Sequence, residues 1–207
     1  MIYTLYYVHD PMCSWCYAFK STLDTLKKHL DSNIKLVYVV GGLASHSDEI
    51  MPKDMQEKIE DIWYEIEKNT GAKFNHDFWK NCKPRRSTYL ACQATILARY
   101  ENKEDEMINA IQEAYYLKAL NPSDNSTLIE LAKQIGMDEK KFEEDLKSQK
   151  IEEDLQNELN FRRSLNVRSF PSLILKYKKE LYPINIKYND YNSMLTQITN
   201  MTENTYF

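Results

Sequence analysis

The spacing of apolar positions predicts a strand, a helix and a second strand at the start of the chain. Residues 2–8 form a run of β-branched and aromatic side chains, which is typical of a buried strand. From Cys13 to Leu30, apolar residues recur every three or four positions, as they do on one face of a helix. Ile34–Val40 is a second strand pattern, and Gly41-Gly42 ends it. This order predicts a parallel βαβ unit.

In the middle of the chain, the pattern of apolar residues predicts helices only. From about residue 46 to residue 165, apolar residues follow helical spacing in six stripes, at 52–71, 86–101, 103–119, 124–136, 138–146 and 150–165. Strand patterns return at 172–177 and 180–186, and Asp190 precedes a last helix. The expected α/β architecture is therefore βαβ, a helical insertion and ββα. One domain combines 1–45 with 166–207, and 46–165 is a helical insertion domain.

Composition narrows the class of protein. The chain has 207 residues, of which 43% are apolar and only four are Gly, so we expect an ordered, helix-rich fold with one sizeable core. The mean hydropathy is −0.63, and no apolar run approaches the roughly 18 residues of a spanning helix. A net charge of −4 argues against nucleic acid as the main partner. The first residues lack a secretory pattern, so we expect a cytoplasmic protein, or a periplasmic one if a signal was removed.

Two of the four cysteines form a C-x-x-C motif at the start of the first predicted helix. Cys13 and Cys16 could be half of a zinc site, but a second ligand pair with suitable spacing is missing from the sequence. A helix N-terminus presents unpaired amides and the positive end of the helix dipole, which stabilise a thiolate. Cys13 is nearer the tip and is the expected nucleophile. Cys16 lies one turn further in and is the expected resolving thiol.

The chemistry also involves a remote dipeptide. Phe170-Pro171 stands directly before the strand pattern at 172–177. An isolated X-Pro bond favours the trans form. Beside a dithiol, a cis-proline would instead present the backbone of Phe170, with which an extended substrate segment could pair as an added strand.

Three segments resemble the DsbA-like branch of the thioredoxin superfamily, and within it the FrnE-type predicted protein-disulfide isomerases. They are residues 12–19 (MCSWCYAF), 87–94 (STYLACQA) and 167–173 (VRSFPSL). The resemblance spans nearly the whole chain. It implies a thioredoxin fold interrupted by a helical domain, with Cys13 and Cys16 as the redox pair and Pro171 as the cis-proline.

Two features depart from that family. Ser14-Trp15 separates the cysteines, where the strongly oxidising periplasmic members have Pro-His, so we expect a less oxidising dithiol. The first strand contains no Asp, Glu or Lys, so it offers no buried acid to assist proton transfer.

Other residues near the motif have two interpretations each. Met12, Trp15 and Phe170 are expected to form an apolar platform for substrate, with Tyr17 as an undecided member. Ordinary packing between the two domains is the alternative.

Five further side chains have alternative interpretations. His9 either tunes Cys13 or is a turn residue after the first strand. Arg85-Arg86 is more simply a solvated helix start than a site for an acidic group. Cys82 and Cys92 are expected to be two free thiols, although a second redox pair stays open because Pro84 separates Cys82 from the helix that holds Cys92.

These observations predict a thiol-disulfide oxidoreductase or isomerase. Its partners would be protein or small-molecule thiols and disulfides, with no nucleic acid, no membrane and an open oligomeric state. No metal or organic cofactor is implied, and glutathione is an open alternative as a thiol co-substrate. One competing function is a glutathione-dependent isomerase or transferase of the 2-hydroxychromene-2-carboxylate isomerase or kappa-class type. The other is a non-catalytic, chaperone-like binding module.

Overall fold

The computed structural model describes residues 3–203, which contain four strands and nine helices. The strands are Tyr3–His9 (β1), Ile34–Val40 (β2), Ser172–Tyr177 (β3) and Glu180–Ile184 (β4). The helices are Ser14–His29 (α1), Lys53–Thr70 (α2), Phe78–Asn81 (α3), Tyr89–Tyr100 (α4), Glu104–Tyr116 (α5), Asn125–Gln134 (α6), Glu139–Leu146 (α7), Gln149–Ser164 (α8) and Tyr191–Glu203 (α9).

The four strands form one mixed sheet in the order β2-β1-β3-β4. β1 pairs in parallel with β2, with Leu5 opposite Leu36, and antiparallel with β3, with Leu5 opposite Leu175. β4 pairs antiparallel with β3 at the edge of the sheet, which is where a strand tolerates a proline such as Pro183. The predicted α/β order, βαβ followed by ββα, is therefore confirmed.

β1 is the central element because both of its faces are buried. On one face, Leu5 and Tyr7 pack with α1 and α9 in a core whose other members include Phe19, Leu26 and Met194. On the other face, Val8 belongs to a second cluster, whose other buried members are Val39 of β2, Leu165 and Val167 before β3, and Ile174 within β3. Fully burying each such side chain contributes about 1.5–3 kcal/mol, so β1 anchors the sheet.

Seven helices separate β2 from β3, and within residues 3–203 no further strand of the sheet lies between them. Ala91, Ala94 and Ala98 give α4 a small-residue face, which allows α5, α6, α7 and α8 to pack around it. α3 was not predicted, because its four residues are too few to show an apolar stripe. The division into domains 1–45 with 166–207, and 46–165, stays a prediction.

Gly41, directly after β2, fits the fold because it has no side chain. An ideal Cβ at this position would lie 2.3 Å from Cε1 of the Phe170 ring. The ring therefore occupies the space of the missing methyl group. This contact joins the end of β2 to the turn before β3.

We expect Gly41→Ala to lower the free energy of unfolding by about 1–3 kcal/mol, because the new methyl group overpacks the Phe170 ring. In a Phe170→Ala background the same substitution should cost less than half as much, since the ring is absent. Urea unfolding of the four proteins measures both costs. Equal costs in the two backgrounds would show that the ring does not set the requirement for glycine.

Candidate active site

Cys13 is the N-cap residue of α1, so its thiol lies at the positive end of the helix dipole. Its amide donates to the carbonyl of Asp10 at 3.0 Å, and its carbonyl accepts the first helical hydrogen bond, from Tyr17. Among residues 3–203, no side chain caps this end of the helix, and the first turn of α1 contains no acid. Cys13 is 7% exposed, and the exposed part opens on a cavity.

Cys16 lies one turn further along α1 and has no exposed surface. Burial raises the pKa of its thiol well above the usual value, and a hydrogen bond with the Cys13 side chain adds to the rise. Cys16 is therefore a protonated thiol when the Cys13–Cys16 pair is reduced. Both cysteines are reduced in this structure. The difference in access fits the predicted roles of nucleophile and resolving thiol.

A cavity of about 360 Å³ lies in front of Cys13. The predicted platform residues Met12, Trp15 and Phe170 line it. α2 and the segment after β2 supply an opposite wall that the sequence analysis missed, namely Leu43, Met51, Ile59, Ile62 and Trp63. None of the described residues that line the cavity is acidic. Cys13 therefore faces a largely apolar cavity built from both parts of the chain.

The turn before β3 closes one side of this cavity. The Phe170–Pro171 peptide bond is cis, and Pro171 is buried. The carbonyl oxygen of Phe170 lies 3.8 Å from Sγ of Cys13. The Phe170 ring packs on Gly41, with the guanidinium of Arg162 5.8 Å from the ring centre. Residues 157 positions apart in sequence thus meet at the nucleophile.

Asp10 is a fully buried acid that the sequence analysis missed. The first strand itself carries no acid, as expected, but Asp10 follows it directly. Oδ1 accepts a hydrogen bond from the amide of Met12 at 2.8 Å. Oδ2 accepts from the amide of Leu43 at 2.6 Å, from the hydroxyl of Thr88 at 2.7 Å and from the thiol of Cys92 at 3.5 Å. The only signal of this role in the sequence was the position of Asp10, immediately before Pro11 and close to the dithiol.

Burial raises the pKa of Asp10 above its usual value, and the four hydrogen bonds oppose that rise because they favour the carboxylate. Burial also raises the pKa of Cys92 well above the usual value, and the nearby Asp10 charge adds to it, so this thiol stays a donor. Cys82 makes a separate contact, with the carbonyl of Ala119 at 3.0 Å. Cys82 and Cys92 are both free thiols, as expected.

His9 is the last residue of β1, so the interpretation as a turn residue is wrong. Its ring is fully buried, stacked on Tyr7 at 5.0 Å and edge-on to Tyr38 at 5.5 Å. Neither ring nitrogen has a hydrogen-bond partner among residues 3–203. Burial lowers the pKa of His9 to about 3, with the charge of Arg99 as a smaller cause. His9 is therefore a neutral core side chain at neutral pH.

The remaining predicted contributors divide into site and packing residues. Trp15 lines the cavity and also packs on Tyr188. Tyr17 of α1 stacks on Tyr116 of α5 at 4.5 Å. This contact joins α1 to the helical segment, which consists of α2–α8, so Tyr17 is a packing residue. Arg85 and Arg86 both line the cavity. Arg85 is paired with Asp124, whereas Arg86 is exposed.

The part of the chain that the structure describes contains no group of three or more His, Cys, Asp or Glu that could hold a metal ion. It also contains no helix long and apolar enough to cross a bilayer.

A family model described as thioredoxin matches residues 6–197, which is nearly the whole chain. The chain belongs to the thioredoxin family. This match confirms the superfamily that the three segments resemble. It also spans the helical segment, so the interruption of the sheet is part of the matched pattern.

Two solved structures share the fold of this thioredoxin-family chain. One is a candidate protein disulfide isomerase from Nitrosomonas europaea, with a TM-score of 0.85, 20% identity and full coverage of both chains. The other is the cytosolic disulfide reductase DsbM from Pseudomonas aeruginosa, with a TM-score of 0.76 and 19% identity over 96% of this chain and 99% of that one. DsbM has also been solved with GSH.

A curated relative is similar in sequence. The ClpXP adapter protein SpxH of Bacillus subtilis is 22% identical over 172 residues, which cover 82% of this chain and 56% of the relative. The chain thus spans a little over half the length of that relative.

We expect acid to destabilise the protein through His9. In the unfolded chain the imidazole titrates near about 6.5, and in the folded protein its pKa is about 3. Its contribution to stability is therefore complete above the unfolded value and is lost as the pH falls toward the folded value. Between pH 7 and pH 5 the wild type should lose about 2 kcal/mol more than His9→Phe. Urea unfolding at both pH values measures this difference, and parallel losses in the two proteins would contradict it.

Proposed function

We propose that this chain is a thiol-disulfide oxidoreductase in which Cys13 attacks the substrate and Cys16 resolves the mixed disulfide. The observation that carries the proposal is the unequal placement of the two thiols at one helix N-terminus. Cys13 opens on the substrate-sized cavity, and Cys16 is fully buried behind it. A binding module would have no need for the second, inaccessible thiol.

The reaction follows from this placement. The Cys13 thiolate attacks one sulfur of a substrate disulfide, forming a mixed disulfide and releasing the first substrate thiolate. Cys16 then loses its proton and attacks Sγ of Cys13. The Cys13–Cys16 disulfide forms, the bond to the substrate breaks, and the second substrate thiolate leaves. The substrate disulfide is thereby reduced by two electrons and the dithiol is oxidised. The reverse sequence introduces a disulfide, and both directions in turn would isomerise one.

Met12, Trp15 and Phe170 supply the substrate surface in this proposal. They bring apolar area to the cavity beside Cys13, which suits the side chains of an unfolded or extended substrate. The Phe170 backbone, close to Cys13, is the place where such a segment would pair. Pro171 holds this turn.

A cytoplasmic location stays a prediction.

Glutathione is the small thiol we propose as co-substrate. The cavity has no acidic lining residue among those described, and the exposed Arg86 stands at its rim. A carboxylate-bearing thiol suits that arrangement better than a basic one. The related fold of DsbM has been solved with GSH.

An adapter role is the second candidate, because the curated relative is named an adapter and the cavity is a ready binding surface. Such a role would use Met12, Trp15 and Phe170 without turnover. It should survive Cys16→Ser, whereas disulfide exchange should not.

The reduction potential tests the proposed redox function. We expect a value between about −120 mV, the strongly oxidising end, and about −270 mV, the reducing end, because no histidine lies between the cysteines. Equilibration with glutathione and its disulfide, followed by acid trapping, measures it. The control Cys16→Ser should form only a mixed disulfide with glutathione. Failure of the wild type to form the Cys13–Cys16 disulfide at any ratio would overturn the proposal.

A further inference from the structure

A second, much smaller cavity lies behind Cys16. Its lining residues come from β1, α1, β2 and α5, and they include Tyr7, Cys16, Tyr38 and Gln112. Cys13 does not line it, and Cys16 does not line the substrate cavity. The two thiols therefore face two different spaces.

This second cavity has the size and polarity for one water molecule. Its volume is about 10 Å³, close to the smallest that admits a water. Gln112 is only 3% exposed, and its Oε1 has no hydrogen-bond partner among the described residues. A water in the cavity would satisfy that acceptor, since buried polar groups rarely stay unpaired.

Tyr7 connects the cavity to Cys16. Tyr7 and Cys16 are both buried, and both side chains line this cavity. Burial raises the pKa of Tyr7 well above its usual value, and the nearby cysteines add to the rise. Tyr7 therefore keeps its proton, and a neutral hydroxyl can accept one proton while it donates another.

The outer end of the cavity reaches charged groups at the surface. Asp105, which is exposed, lines the cavity and pairs with Lys27 at 2.7 Å. Lys27 also donates to the hydroxyl of Tyr38 at 2.8 Å. Lys20 and Asp24, an ion pair on α1, stand at the same opening. Polar groups thus continue from the buried thiol to solvent.

We propose that Tyr7 relays the proton of the Cys16 thiol, through one water in this cavity, to solvent on the side away from the substrate. This inference rests on the proposed function, because it concerns the resolving step. As Cys16 attacks Cys13, its S–H proton passes to the Tyr7 hydroxyl while the Tyr7 proton passes to the water, which hands a proton to solvent. The substrate thiolate leaves into the other cavity and takes a proton from solvent there.

The test separates the two chemical steps in time. One equivalent of Ellman's reagent is mixed with the reduced protein, in a Cys82→Ser background that removes the half-buried thiol. Attack by Cys13 releases the first chromophore, and resolution by Cys16 releases the second. For Tyr7→Phe we expect an unchanged first phase and a second phase at least about tenfold slower, because a positioned proton-transfer group contributes about 10²–10⁴-fold to a rate. A solvent isotope effect should appear in the second phase of the wild type.

Three comparisons separate a proton relay from a structural effect. Tyr7→Phe should change the equilibrium constant with glutathione by less than about threefold, because a relay speeds both directions alike. Gln112→Leu removes the polar acceptor and should slow the second phase in the same way. If Tyr7→Phe folds poorly, Gln112→Leu replaces it as the test of the relay. Tyr6→Phe, on the opposite face of β1, is the matched control and should change neither phase.

Equal second phases in the wild type and both variants would overturn the relay. So would a slowing of both phases, or an equilibrium shift as large as the change in rate. Absence of any second phase in the wild type would instead overturn the proposed dithiol function.

Discussion

The buried carboxylate of Asp10 is the constraint on which the site depends. A carboxylate without compensation inside a protein costs several kcal/mol. No described cation pairs with Asp10, so its four hydrogen bonds supply the compensation. The donors come from the turn before α1, from the segment after β2 and, through Thr88 and Cys92, from the helical segment. The turn that leads to Cys13 is therefore held in place by helices that interrupt the fold.

This arrangement gives the two sides of the dithiol different surroundings. Cys13 faces an apolar cavity whose far wall comes from α2, and Cys16 faces a small polar cavity bounded by α5. The helical segment contributes to both. Its removal would leave the sheet and the C-x-x-C motif but would expose the Asp10 carboxylate and open both cavities. The helices are thus part of the site and not an addition to it.

Local patterns predicted the local features. Runs of β-branched, apolar and aromatic residues placed the four strands, and helical spacing placed all helices except the short α3. The motif at a helix start identified Cys13 and Cys16. Phe170-Pro171 was noted because it directly precedes a strand pattern, but its assignment to the site needed the family resemblance, because nothing adjacent in sequence joins it to the cysteines. Asp10 and Tyr7 were missed because only tertiary packing reveals their contacts: Asp10 resembled a turn residue, and Tyr7 resembled any other apolar strand position.

Trapping of the mixed disulfide tests the central claim most directly. In a Cys82→Ser background, reduced Cys16→Ser is incubated with a disulfide-bonded peptide, and the adduct is mapped by mass spectrometry. The account predicts that the peptide accumulates on Cys13 and that the protein with both Cys13 and Cys16 shows almost no adduct, because Cys16 releases it. An adduct that forms equally well on Cys16 in the Cys13→Ser protein, or no adduct on Cys13, would contradict the account.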